Sequence, residues 1–250
     1  KKLKKNNFFY SKEDKETWKE EIHKPFEESV SYLRKNIDEK VVEAQINAVF
    51  DDIRVDAVKI GMVSDKQIIK TIAARLRFYK PAIIVVDPVM VSKSGYRLLD
   101  PDACETLIKE LLPIATLVTP NLPEAAVIVG YDVTNKEDML KAARDIIALG
   151  AKSVLMKGGH LQDSADDLLY DGIDAIWFTG ERINTKNTHG TGCTLSSALA
   201  ANLALGLSLP DAVRISKDYI SIAIANALDI GSGCGPTHHF VNLYRKAGLL

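Results

Sequence analysis

A single cysteine, Cys193, stands in the run "THGTGCT", directly ahead of small and apolar residues that read as a buried helix. Gly190, Thr191 and Gly192 precede it, and the glycines let the backbone turn tightly so that successive N–H groups point at one spot. The positive end of the helix dipole falls at the same spot, which suits an anion. A helix start also favours the thiolate of a cysteine placed there, making Cys193 a candidate proton acceptor. The competing reading is packing, because free cysteine is among the most buried residue types.

Other polar residues follow apolar runs in a way that places them at strand ends. Asp87 comes after "IIVV" and before Pro88, so a carboxylate is held at a rigid turn; a turn-capping aspartate is the alternative. In "TPNLPEAA", Asn121 and Glu124 lie three apart, where an amide and a carboxylate could share a Mg²⁺ ion or its waters, or simply cap a helix. Lys157 follows "SVLM" and precedes Gly158, Gly159 and His160, a cation beside flexible backbone that could meet a phosphate or lie on an ordinary surface turn. An anion hole, a cation, groups suited to Mg²⁺ and one candidate base together match phosphoryl transfer, which needs positioning and charge neutralisation more than covalent chemistry. The sequence has neither GxxxxGK[ST] nor GxGxxG, so a nucleotide must be held some other way.

The elements that would position these groups alternate along the chain. From about residue 55, β-branched runs ("VDAVKIG", "AIIVVDPVMV", "TLVTPN", "SVLMKGG", "DLLYDGID", "AIWFTGERI") are interspersed with helical patterns ("DKQIIKTIAARLRFY", "DACETLIKELLPIA", "NKEDMLKAARDIIALG"). Long helices are expected at Thr194 to Leu205 and Asp211 to Leu228. Such alternation predicts an α/β fold, a doubly wound and mostly parallel sheet flanked by helices, with ligands gathering at the carboxyl ends of its strands. Residues 1–40 are charge-dense and show no clean strand, so they are read as a solvated helix or mobile arm ahead of one domain at 41–250.

Composition narrows the partners. Lys plus Arg number 32 against 33 Asp plus Glu, so the net charge of −1 offers no field to attract nucleic acid or an anionic membrane, and a small-molecule substrate is expected. The three cysteines are widely spaced without a CxxC pair, which fits a reducing cytoplasm better than a disulfide framework. No apolar run reaches the roughly 20 residues needed to span a bilayer. Adjacent His238 and His239 lack the spacing of a shared metal site, and Cys104 reads as a packed helical side chain.

The ordered motifs "DPVMVSKSG", "LVTPNLPEAA", "VLMKGGH", "THGTGCTLSSA" and "GPTHHF", spread from about Val41 through Tyr244, resemble the hydroxymethylpyrimidine (phosphate) kinases of the ribokinase-like superfamily. The resemblance implies a homodimeric, ATP- and Mg²⁺-dependent kinase of thiamin biosynthesis that phosphorylates 4-amino-5-hydroxymethyl-2-methylpyrimidine and its monophosphate. It implies Cys193 as base and Gly190, Thr191 and Gly192 as the anion hole. It further implies Asp87, Asn121 and Glu124 as the Mg²⁺ and phosphate region, with Asp87 and Glu124 nearest the metal. Lys157 and Lys217 would be phosphate contacts, and Met62 and Val89 walls of the pyrimidine pocket. The family's opening AGSDxSGGAGI turn and AQN-type segment are not found before Val41. Pyridoxal kinases of the same superfamily are the nearest alternative, and Ser92, where cysteine-type members tend to carry another cysteine, favours the pyrimidine enzymes. A non-catalytic relative that binds the pyrimidine is the alternative from another class.

Overall fold

The computed structural model describes residues 38–90, 98–161, 164–228, 230 and 233–249. Most of the N-terminal arm, and Ser92 with it, lies outside the described residues. Four short parallel strands, β1 (Val58–Ile60), β2 (Ile84–Val86), β3 (Leu117–Val118) and β4 (Val154–Met156), are followed by antiparallel β5 (Asp167–Tyr170) and β6 (Ala175–Phe178). Their spatial order follows the chain. Helices α1 (Glu39–Asp52), α2 (Lys66–Tyr79), α3 (Pro101–Glu110), α4 (Leu122–Val129) and α5 (Lys136–Ala148) come before or between the strands through β4, and α6 (Thr191–Ala204), α7 (Leu209–Ala225) and α8 (Val241–Lys246) come after β6.

The alternation of side chains along each strand divides the core in two. Ile60, Val86, Val118 and Met156 turn toward Ile69 and Leu76 of α2, Leu107 of α3 and Met139 and Ile146 of α5. Val85, Leu117, Leu155 and Leu169 turn the other way, onto Leu199 and Leu203 of α6 and Val213 and Ile220 of α7. Both faces are covered, as the apolar strands predict. Among the described strands this is achieved without a reversal of order, because α6 and α7 close the second face. Helix α1 was not evident in the sequence: it is capped by Asp38, which accepts the Val41 N–H at 3.0 Å, and it buries no residue completely. It leans on α2 through Phe50 stacked on Tyr79.

Gly158 shows how closely β4 and β5 approach. A Cβ there would fall inside the Asp166 carbonyl and within 3.1 Å of Leu161 Cδ1. This glycine is required by close backbone packing rather than by a left-handed turn. Gly158→Ala is expected to cost about 3 kcal/mol or more, the upper end of overpacking penalties, and chemical denaturation will measure it.

Candidate active site

Asp87, Thr119 and Lys157 each occupy the first position beyond a parallel strand, after β2, β3 and β4. The ladders aim them: the Asp87 N–H donates to Ile60 O at 2.9 Å, the Thr119 N–H to Val86 O at 2.9 Å, and the Lys157 N–H to Pro120 O at 2.8 Å. Side chains far apart in sequence therefore converge. Lys157 Nζ donates to Asp87 Oδ1 at 2.9 Å, and the Thr119 hydroxyl donates to the same oxygen at 3.1 Å. Ser196 of α6 donates to Asp87 Oδ2 at 3.3 Å. Asp87 is only 1% exposed, so one buried carboxylate ties three elements together.

Asn121 and Glu124 form a reciprocal capping box at the start of α4. Asn121 Oδ1 accepts the Glu124 N–H and Glu124 Oε2 accepts the Asn121 N–H, both at 2.8 Å. The same Glu124 oxygen lies 3.8 Å from Lys157 Nζ, so the cap also faces the site. Burial raises the Glu124 carboxyl above its ordinary range, although Lys157 pulls it back. Burial would likewise lower Lys157, but the neighbouring Asp87 and Glu124 carboxylates outweigh it and hold the ammonium charged beyond the usual lysine range. The cap and the site are thus one structure rather than alternatives.

The start of α6 closes the arrangement. Gly190 is the N-cap with φ +79°, a left-handed conformation that favours glycine. At Gly192 a Cβ would stand 3.4 Å from Lys157 Nζ and 3.8 Å from Asp87 Oδ2, so the first turn of the helix lies against the charge cluster. The N–H groups of this turn have no acceptor within the helix. Cys193 follows and is exposed rather than buried in the core. Ser196, one turn on, also donates to Gly192 O at 2.9 Å and Cys193 O at 3.1 Å, and fixes the turn to Asp87.

Behind the turn, buried Asn187 acts as a clamp. Its Oδ1 accepts the Gly235 N–H at 3.0 Å and its Nδ2 donates to Leu228 O at 3.3 Å. The His189 N–H donates to Gly235 O at 3.0 Å. A Cβ on Gly235 would come within 2.6 Å of Asn187 Oδ1. Asn187→Ala leaves the buried Gly235 N–H without its acceptor; a loss of about 1–3 kcal/mol is expected by denaturation, with a fall in kcat as the turn loosens. The two adjacent histidines part company as their spacing implies: His238 packs edge-on to Tyr244, and His239 Nε2 lies 3.0 Å from the Thr194 hydroxyl.

Lys217 stands on α7, 13% exposed in its side chain, and is engaged with Asp167 and with Ala165 O at 3.1 Å. The Gly158 N–H donates to Asp167 Oδ1 at 2.8 Å, so the backbone just after Lys157 is held by protein. Met62, just past β1, is 53% exposed, and Val89, just past β2, is half-buried. The β1–β2 register pairs Ile60 with Val86 and so brings both to the same end of the sheet. Thr119, Ser196, Asn187 and Asp167 were missed in the sequence. Thr119 was detectable, being polar and first after an apolar strand; the other three depend on contacts across the fold.

Oxygen donors around Asp87 and Glu124 fit a hard cation that keeps several waters and binds partly through substrate phosphates. Among the described residues no group of three or more His, Cys, Asp or Glu forms a cage of its own. No helix among them is long and apolar enough to cross a membrane.

Comparison with known proteins decides the family. The family model described as phosphomethylpyrimidine kinase matches residues 28–238. The chain belongs to the phosphomethylpyrimidine kinase family. Its relatives are named kinases, which places it among phosphotransferases. The hydroxymethylpyrimidine/phosphomethylpyrimidine kinase of Rhizobium meliloti is 51% identical over 210 residues, covering 82% of this chain and 78% of the relative. The crystal structure of phosphomethylpyrimidine kinase from Clostridium difficile is 48% identical with a TM-score of 0.69, covering 75% of this chain and 77% of that one. Pyridoxal kinase from Staphylococcus aureus, in complex with AMP-PCP and pyridoxal, is 38% identical with a TM-score of 0.75, covering 81% and 74%. The ribokinase-like fold of the family is therefore present here. That fold is common to pyrimidine and pyridoxal kinases and does not by itself separate them.

Proposed function

We propose that the chain transfers the γ-phosphoryl group of ATP to 4-amino-5-hydroxymethyl-2-methylpyrimidine and to its monophosphate, as a kinase of thiamin biosynthesis. The observation that carries this reading is the convergence on Asp87: a buried cation from β4 and the first turn of α6 meet there, with an exposed thiol beside them. In this reading Cys193 takes the proton of the attacking hydroxyl as the new O–P bond forms. The N–H groups around Gly190, Thr191 and Gly192 face the charge on the transferred group, and Lys157 adds a fixed positive charge. Asp87 and Glu124, with Asn121 fixing the latter, would hold Mg²⁺ through its waters; when bound, the ion neutralises phosphate charge. Lys217 serves the nucleotide phosphates, while Met62 and Val89 flank the acceptor ring. The active species is proposed to be a homodimer.

The likeness to a pyridoxal kinase with bound pyridoxal favours a second reading, in which the aromatic alcohol is pyridoxal. Coupled detection of ADP, with hydroxymethylpyrimidine, its monophosphate and pyridoxal assayed in parallel at saturating ATP and Mg²⁺, separates the two. The pyrimidines are expected to give the higher kcat/KM; faster use of pyridoxal reverses the assignment, and pyrimidine binding without ADP release identifies a non-catalytic relative.

A further inference from the structure

The phosphoryl-transfer groups leave two buried carboxylates unused, Asp166 and Asp167, and of these Asp167 bonds the residue next to Lys157. Asp167 opens β5 at 7% exposure, and its two oxygens serve different elements. Oδ1 accepts the N–H of Gly158, next to Lys157, and Oδ2 accepts Lys217 Nζ from α7. The pair is closely enclosed: a Cβ on Gly180 would come within 2.9 Å of Lys217 Nζ and would also strike the Ala165 carbonyl. Buried ion pairs contribute little net stability compared with apolar side chains of similar size, because desolvation offsets most of the attraction. Stability alone is therefore a poor reason for a lysine and an aspartate here, whereas fixed geometry is a good one.

We propose that Asp167 is a positioning residue for phosphate binding, one carboxylate that sets the backbone beneath Lys157 and the head of Lys217 together. It touches no substrate and acts through these two cations. This rests on the kinase reading above. Burial raises the Asp167 carboxyl above its ordinary range, although the charge of Lys217 and, more weakly, that of Lys157 pull it back.

Two variants separate positioning from folding. In Asp167→Asn the amide oxygen still accepts the Gly158 N–H, but the amide N–H groups oppose Lys217, so one arm survives and the other is released. Asp167→Asn/Lys217→Gln leaves no unpaired buried charge and keeps the fold if the single variant does not; because Lys217 is itself a phosphate contact, it is compared with Lys217→Gln alone, and losses that simply add would mean that Asp167 does not act through Lys217. Calorimetry with Mg·ATP, kcat and KM for ATP and for the pyrimidine, and thermal melting are measured on each. Binding of Mg·ATP is expected to weaken roughly tenfold, the scale of one charged hydrogen bond, with KM for ATP rising in parallel and KM for the pyrimidine unchanged. Wild-type affinity and KM for ATP in a folded variant would overturn the proposal, as would an activity loss that only follows the melting temperature. If the wild-type protein binds Mg·ATP yet phosphorylates no acceptor, the kinase reading fails, and the calorimetric comparison still decides the role of Asp167.

Discussion

Replacing Cys193 by alanine is expected to lower kcat for the hydroxymethyl acceptor by about 10²-fold or more, the usual scale for a positioned base, while Mg·ATP binding stays near the wild-type value. The expectation follows from where the thiol stands. Cys193 is exposed in the first turn of α6, and its backbone is fixed independently of its sulfur by the Ser196 bonds to Gly192 O and Cys193 O. Removing the sulfur should therefore leave the turn in place. The two acceptors sharpen the test. A phosphate monoester carries about −1.5 to −2 charge near neutrality, so an acceptor phosphate oxygen is largely deprotonated before it attacks. The alcohol step should thus suffer well beyond the monophosphate step. Equal losses would point to a role in shaping the anion hole, and near wild-type turnover of the alcohol would remove Cys193 from the chemistry.

Lys157→Met should have the larger effect on the molecule as a whole. Its ammonium is the shared partner of Asp87 and Glu124, which are 1% and 3% exposed. Deleting one member of a buried ion pair typically costs about 3–5 kcal/mol, and here two carboxylates lose their cation. A loss of kcat/KM for ATP of at least about 10²-fold should accompany the instability. The pH dependence carries a sign. Burial already raises the Glu124 carboxyl, and without Lys157 the main influence lowering it is gone. A carboxyl raised on folding binds its proton more readily in the folded state, so stability increases as pH falls through its folded value. The variant should recover part of its lost stability in mildly acidic buffer. The wild-type lysine has the same sign in a more alkaline window: its raised value contributes stability that is full below the ordinary lysine range and lost as pH rises through the raised value. Denaturation of both proteins in mildly acidic and mildly alkaline buffer checks this; a pH-independent difference would mean that the carboxylates find other partners.

How much of this was legible in sequence depended on whether a residue's role is local. Asp87 and Lys157 could be found because a polar residue after an apolar strand has few places to go except the sheet's carboxyl edge. Gly190 and Cys193 were equally local, since a glycine turn ahead of an apolar helix fixes its own geometry. Ser196 looked like one more small residue in α6, and its bond to Asp87 crosses 109 positions. Asp167 read as the polar start of a strand, and nothing near it in sequence predicts Lys217. Lys157 itself was half-read: its charge was plain, but its two carboxylate partners, and the close packing that demands glycine at 158, belong to tertiary structure. Helix α1 escaped because it buries no full face, leaving little periodic signal.

The clamp between Asn187 and Gly235 spans 48 positions, and the link between Asp87 and Lys157 spans 70. Contacts so distant along the chain are slow to form, because loop-closure entropy is spent before they reward it. A partly folded chain with only β1 to β4 in place could join Asp87 to Lys157, yet it would have neither the thiol nor the first turn of α6. Those arrive with α6 and are seated by backbone near residue 235. Kinase activity should consequently return late in refolding, after most of the helical signal has recovered, and a half-folded chain would have no means to squander ATP.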